Sequence, residues 1–262
     1  MTAPAFERPG GCAIAVMAKS PRPGQVKTRL VPPLTPDAAS ALSASFLRDI
    51  TESIARAAQA GGIHGYVAYA PAGTERAFDG MLAEGTRLVL ADGATVSAPR
   101  VSGFGRPLLH AARSLFERGH DAVCLLNSDS PTLPTALLSR AVDALAEPGD
   151  RVVLGPAEDG GYYVIGMKAP HARLFEEIAW STGAVADETR RRAATLGLPV
   201  AELDPWYDVD DAAALRRLCR ELAGARSQRG PSPYPARAPA ECLARLRIPE
   251  LLSAGAPAAA AD

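Results

Sequence analysis

Two sets of residues in this sequence have the types and spacing to do chemistry together. The stretch "AVMAKSPRPGQVKTRL" (residues 15–30) carries Lys19, Arg22, Lys27 and Arg29, and no Asp or Glu occurs between Glu7 and Asp37 to neutralise them. A local cationic cluster without a local acid suits a small polyanion such as a phosphate chain, although a solvated basic loop has the same composition. The acids come later. In "AVCLLNSDSPTLP" an apolar run ends at Leu126 and Asp129 follows it closely. A carboxylate just past a buried strand can hold a hard divalent cation, and Mg²⁺ typically takes one or two carboxylates plus phosphate oxygens. In "WYDVDDAAALRRL", Asp208 and Asp210 alternate in an extended stretch and would share a face, while Asp211 suits a helix N-terminus.

A further acidic turn, Glu158-Asp159-Gly160-Gly161, lies between two strand-like runs. Asp-Gly favours a tight hairpin, and paired glycines let the backbone approach a ligand, so these four residues are also candidates for binding an acceptor. The "GFG" at Gly103–Gly105 and the "WST" at Trp180–Thr182 are weaker signals; the former would line a pocket. Two phosphate motifs are absent. Val26, not Gly, precedes Lys27-Thr28, so the Lys-Thr pair is no Walker A loop, and there is no G-x-G-x-x-G.

These residues need a scaffold that gathers strand ends. Apolar runs at Cys12–Met17, Tyr66–Tyr69, Leu88–Leu90, Ala122–Leu126, Val152–Leu154, Tyr162–Ile165 and Leu198–Ala201 read as strands. Helical patterns alternate with them at Pro36–Ala60, Arg106–Arg118, Pro134–Ala146, Val185–Leu196 and Ala212–Leu222. This alternation predicts an α/β fold, a three-layer α/β/α sandwich around a mostly parallel mixed sheet. Such sheets bind ligands at the carboxyl ends of strands, where the cationic segment and Asp129 both fall.

In the first of the helices, Thr35 caps, Pro36 takes the first position, and Leu42, Phe46, Ile50 and Ile54 form one stripe. The expected organisation is a flexible N-terminus over 1–10, one nucleotide-binding domain over 11–223, and a Pro/Ala/Arg-rich tail over 224–262, largely disordered with a short helix near Glu241–Leu246.

A net charge of −1 over 262 residues lacks the broad positive field of a nucleic-acid or membrane-surface binder. No apolar run reaches the length of a membrane span, and a cytoplasmic protein is expected. Cys12, Cys124, Cys219 and Cys242 have no metal-site spacing and read as reduced, mostly buried thiols.

From Cys12 to Arg217 the sequence resembles the GT-A nucleotide-diphospho-sugar transferase superfamily, on "MAKSPRPGQVKTRL", "NSDSPTLP", "GPAEDGGYYVIG", "WST" and "DVDD" in that order. It most resembles bacterial proteins labelled glycosyltransferases, some of them associated with arsenosugar biosynthesis. The "KTRLVPPLTPDAASALSASFLRDI" segment is also similar to phospholactate guanylyltransferases, and the layout to molybdenum-cofactor guanylyltransferases. The charge pattern and the turn residues put Lys19, Arg22 and Gly24 in the phosphate-binding loop, and the resemblance implies an NTP or NDP-sugar as partner, with Lys27 and Arg29 on its phosphates. It implies Mg²⁺ or Mn²⁺ on Asp129 with Asp210 or Asp208, hence Lys27, Arg29 and Asp129 as the catalytic set. The leading expectation is nucleotidyl transfer to a small phosphorylated acceptor; glycosyl transfer from an NDP-sugar is the alternative, and an inactive nucleotide binder is the third. A homodimer is compatible with the apolar content.

Overall fold

The computed structural model describes residues 10–224 and 231–254; the expected flexible N-terminus falls on 1–9, outside them, save for Gly10. The first strand, β1 (Cys12–Lys19), shows why the sheet is central: seven consecutive apolar residues are buried and only the final Lys19 emerges. A strand covered on both faces has no use for alternation. Around it stand β2 (Ile63–Ala70), β3 (Arg87–Leu90), β4 (Ala122–Leu126), β5 (Val152–Pro156), β6 (Tyr162–Met167) and β7 (Val200–Glu202). They form a single seven-stranded sheet in the order β3-β2-β1-β4-β6-β5-β7. Only β6 runs antiparallel to its neighbours, so the sheet is mixed and mostly parallel.

Helices cover both faces. On one side α1 (Pro36–Ala57) and α3 (Thr135–Ala146) pack Leu47, Ile50, Ile54, Leu137 and Leu138 against Ile14 and Val16. On the other, α2 (Gly105–Glu117) and α4 (Val185–Thr195) pack Leu108, Leu109, Leu115 and Ala193 against Ala13, Ala15 and Met17. The Thr35 side chain accepts the Ala38 N–H at 3.2 Å, and Leu42, Phe46, Ile50 and Ile54 are all buried, so the start and stripe of α1 follow their sequence signals. The strand expected at Leu198–Ala201 is displaced to Val200–Glu202, because Pro199 and Val200 mark where pairing with β5 begins.

The largest departure is at the C-terminus. The expected disorder from 224 does not describe residues 231–254, which include α6 (Arg237–Arg245) and α7 (Ile248–Ala254). With α5 (Ala212–Leu222) they close a third apolar cluster, in which Cys242, Leu243, Ile248 and Leu252 bury Leu30, Leu42, Phe46, Leu215 and Leu218. Residues 225–230 and 255–262 lie outside the described chain. Composition misled here because the apolar positions are thinly spread among Pro, Ala and Arg, and they gain meaning only opposite α1.

Asp49 fastens this unit. Buried on α1, its carboxylate oxygens accept the Ala238 N–H at 3.3 and 3.2 Å, at the start of α6, which has no side-chain cap of its own. Burial pushes the Asp49 carboxyl from 3.8 up to about 6, with Glu52 adding to the rise and the Ala238 N–H, Arg48 and Arg56 opposing it. A raised carboxyl favours the folded state fully below 3.8 and loses that favour as pH climbs through about 6. Asp49→Asn, which keeps an acceptor and removes the charge, is therefore expected to be more stable than the parent at pH ~8 by about 1–2 kcal/mol. Denaturant titrations at stepped pH should show the gap closing between pH 6 and 4.

Among the described residues no helix is long and apolar enough to cross a membrane. Cys12, Cys124 and Cys242 are buried free thiols and Cys219 is partly exposed.

Candidate functional site

The cationic segment leaves β1 and folds back over the ends of the parallel strands. Arg22 to Gln25 turn the chain, with the Gln25 N–H donating to the Arg22 carbonyl at 3.0 Å, Leu30 is buried and anchors the far end, and a short 3₁₀ turn spans Thr28–Leu30. Lys27 precedes that turn with φ 50° and ψ 36°, a left-handed conformation that costs a non-glycine residue energy and is characteristic of functional loops. The reason is visible at its tip. The Lys27 side chain is 5 % exposed, and Nζ lies 2.6 Å from Asp129 Oδ1, 3.2 Å from Asp210 Oδ1 and 2.7 Å from the Val209 carbonyl oxygen. Its stem passes the Phe46 ring, with Nζ 5.2 Å from the ring centre.

The two acidic segments are joined by backbone. Val209 N–H donates to the Asp129 carbonyl at 2.8 Å, which sets the 206–210 stretch alongside the loop after β4. Val209 is buried in the third apolar cluster, so Asp208 and Asp210 project away from it, as alternation requires. Asp210 joins Lys27 and approaches Arg29 Nη1 at 3.9 Å. Asp208 stands back: burial and the charges of Asp210 and Asp159 push its carboxyl up to about 6. Asp211 caps α5 by accepting the Ala214 N–H at 2.8 Å.

Tyr207 ties the neighbourhood together. Its hydroxyl accepts from Thr132 Oγ1 at 3.2 Å and donates to Glu221, and the Arg217 guanidinium sits 3.8 Å from its ring centre. Tyr234, from the C-terminal segment, donates its N–H to the Thr132 carbonyl at 2.9 Å. The C-terminal unit thus braces the loop that carries Asp129.

A cavity of about 430 Å³ opens here, walled by Lys19, Lys27, Arg29, Asp129 and Asp210, with Ala68, Ala70 and Ala91 among its lining at the ends of β2 and β3. Arg22 and Gly24 are exposed and do not line it. Nor do Glu158, Asp159, Gly160 and Gly161. Glu158 is held by Arg217 in a bidentate pair at 2.5 and 3.0 Å, and Asp159 Oδ1 accepts the Gly161 N–H at 2.8 Å within the β5–β6 turn. Gly160, at φ 89°, is packed so tightly that a Cβ would lie 2.2 Å from the Gly183 carbonyl oxygen. Gly160 therefore admits a neighbouring loop, the one after "WST".

Phe104 lines the cavity, as expected of the "GFG" segment, and so does Asn127, which was not singled out by sequence. Phe104 is 48 % exposed and stands edge-on to Trp180, 5.9 Å between ring centres. Cβ atoms at Gly103 and Gly105 would meet Trp180 at 3.0 and 3.1 Å, so glycines flank Phe104 to let the indole in.

The donor chemistry fits a hard cation. Oδ1 atoms of Asp129 and Asp210 converge on one point, at present taken by an ammonium. Among the described residues no three His, Cys, Asp or Glu side chains gather as a ready metal site. Phosphate oxygens and water would have to complete the shell, as is usual for Mg²⁺.

Comparison with known proteins agrees with this layout. Residues 53–182 match the family described as "Uncharacterized protein conserved in bacteria (DUF2064)", a span that contains Asp129 but neither the cationic loop nor Asp208 and Asp210. No protein of curated function matches the sequence. A crystal structure from Desulfovibrio desulfuricans G20, assigned as a nucleotide-diphospho-sugar transferase, is 27% identical with a TM-score of 0.73, covering 91% of this chain and 97% of that one. A cytidylyltransferase from Leptospira borgpetersenii superposes with a TM-score of 0.51 at 12% identity, over 96% of this chain and 99% of its own. CMP:2-keto-3-deoxy-manno-octonic acid synthetase, solved with CTP, gives 0.50 at 13% identity, over 81% and 98%. At those identities the last two speak for the fold alone. In fold, and in sequence through the Desulfovibrio protein, the chain is similar to the GT-A-like nucleotide-diphospho-sugar transferases.

Proposed function

We propose that the chain is a divalent-metal-dependent transferase with a nucleotide donor, moving a nucleotidyl group from an NTP to a small phosphorylated acceptor and releasing pyrophosphate. One observation carries this reading. A single cavity combines the cations Lys19, Lys27 and Arg29 with the acids Asp129 and Asp210, while Glu158 and Asp159, the acceptor-binding candidates that a general base would be drawn from, are engaged elsewhere. A phosphorylated acceptor is already ionised and needs positioning and charge neutralisation more than a base.

Asp129 and Asp210 would hold Mg²⁺ or Mn²⁺, which supplies positive charge to the phosphate oxygens when bound. Arg29 and Lys19 would face the outer phosphates, and Phe104 offers an exposed aromatic face at the rim. Glycosyl transfer from an NDP-sugar is the second reading, favoured by the likeness to the Desulfovibrio protein. Incubation with Mg²⁺, each NTP and a panel of phosphorylated acceptors separates them. Pyrophosphate release supports the first reading; NDP release from NDP-sugars with no pyrophosphate from any NTP supports the second.

Arg29 gives a local check. Its guanidinium is 72% exposed and its ion pair with Asp210 spans 3.9 Å, so the pair contributes little to folding. Arg29→Ala is expected to weaken nucleotide binding by about tenfold, the scale of one charge-assisted contact, with a melting temperature close to the parent's. Calorimetric titration and thermal melting on one preparation read both. The expected homodimer and cytoplasmic location belong to this proposal, and light scattering tests the former.

A further inference from the structure

The Lys27 ammonium has three protons and three acceptors: Asp129 Oδ1, Asp210 Oδ1 and the Val209 carbonyl. Nothing is left over for a phosphate. Held in this way, Lys27 is the counter-ion of the two carboxylates that would ligate the metal, not a free hand reaching toward a nucleotide. The backbone supports the arrangement, since Lys27 is kept left-handed between an exposed turn and the buried Leu30.

We propose that Lys27 is a resident cation that competes with the divalent metal for Asp129 and Asp210. This rests on the reading of those acids as the metal pair. Without a counter-charge, two carboxylates whose oxygens point at one spot repel each other and spring apart. With Lys27 between them the cradle stays assembled while empty of metal. A metal ion entering the cradle displaces the ammonium, and since Lys27 also lines the cavity its released charge turns toward the bound phosphates. One lysine thus serves first as placeholder and then as phosphate ligand. The nucleotide-free protein consequently binds metal weakly, and metal and nucleotide favour each other's binding by the same factor.

The test uses Mn²⁺ and the full chain without nucleotide, with the bound fraction read by electron paramagnetic resonance. Lys27→Met keeps the length and apolar stem while removing the charge. It is expected to bind Mn²⁺ about tenfold or more tightly than the parent, a modest share of the attraction two charges exert at contact. Adding Asp129→Asn to Lys27→Met should abolish the gain. Equal or weaker binding by Lys27→Met overturns the proposal, because a lysine that merely props the acids would leave them disordered when removed.

Should Lys27→Met fail to fold, the parent protein decides. The ¹⁵N-detected Lys27 ammonium signal, slow to exchange while its three acceptors hold it, is expected to shift or vanish as Mg²⁺ is added. A signal that Mg²⁺ leaves unmoved overturns the proposal. Neither reading involves turnover, so failure to find pyrophosphate release would leave both intact.

Discussion

Asp129→Asn is expected to abolish the proposed metal-dependent turnover while leaving the chain folded. The loss expected is on the order of 10³-fold or more, since a metal that stabilises transition-state charge contributes several kcal/mol. The structure gives the reason folding should survive. The bond that holds the 206–210 stretch in place uses the Asp129 backbone carbonyl, which the substitution does not touch. The ion pair with Lys27 is lost, but the Asp129 side chain is 31% exposed, so the cost to stability is about 1–2 kcal/mol after allowance for solvent. Pyrophosphate release and thermal melting on the same preparation read the two effects apart. Turnover near the parent's level would remove Asp129 from the metal site.

Removing residues 231–262 has the opposite character: it strikes the fold and only through it the site. Tyr234, Cys242, Leu243, Ile248 and Leu252 are buried at 6% exposure or less, and their loss uncovers Leu30, Leu42, Phe46 and Leu218. At roughly 1.5–3 kcal/mol for each buried apolar side chain, the deficit is on the order of 10 kcal/mol, comparable to the whole stability of a typical domain. The truncated chain is expected to be insoluble, or to melt far below the parent and bind no nucleotide. Leu30 makes the link to function, since it anchors the segment that presents Lys27 and Arg29. A soluble truncated chain with the parent's melting temperature would refute this.

The contrast between these experiments reflects what could be read from sequence. Local signals held where the physics is local. The cap and stripe of α1, the unbroken apolar run of β1, the Asp-Gly turn that makes β5 and β6 a hairpin, and the helix-capping Asp211 all depend on neighbours a few residues away. The candidate acids and cations were legible by type, and Lys27, Asp129 and Asp210 do meet in space. What they do to one another was not legible. That an ammonium sits between two carboxylates depends on contacts up to 183 residues apart, for which sequence has no marker. Glu158 reads as a free acid until Arg217 is placed beside it, and the C-terminal helices read as low complexity until α1 lies beneath them.

The hydrogen bond from Val209 to Asp129 bears on how the protein is made. Synthesis runs from the N-terminus, so the cationic loop emerges with β1 early, Asp129 follows, and the pair of acids is incomplete until residue 210 has left the ribosome and docked. A chain that stops short of residue 210 therefore cannot assemble the cradle. Competence at this site is a report that the chain has been made and docked through residue 210, and a nucleotide analogue that binds only with metal would serve as a probe for such molecules.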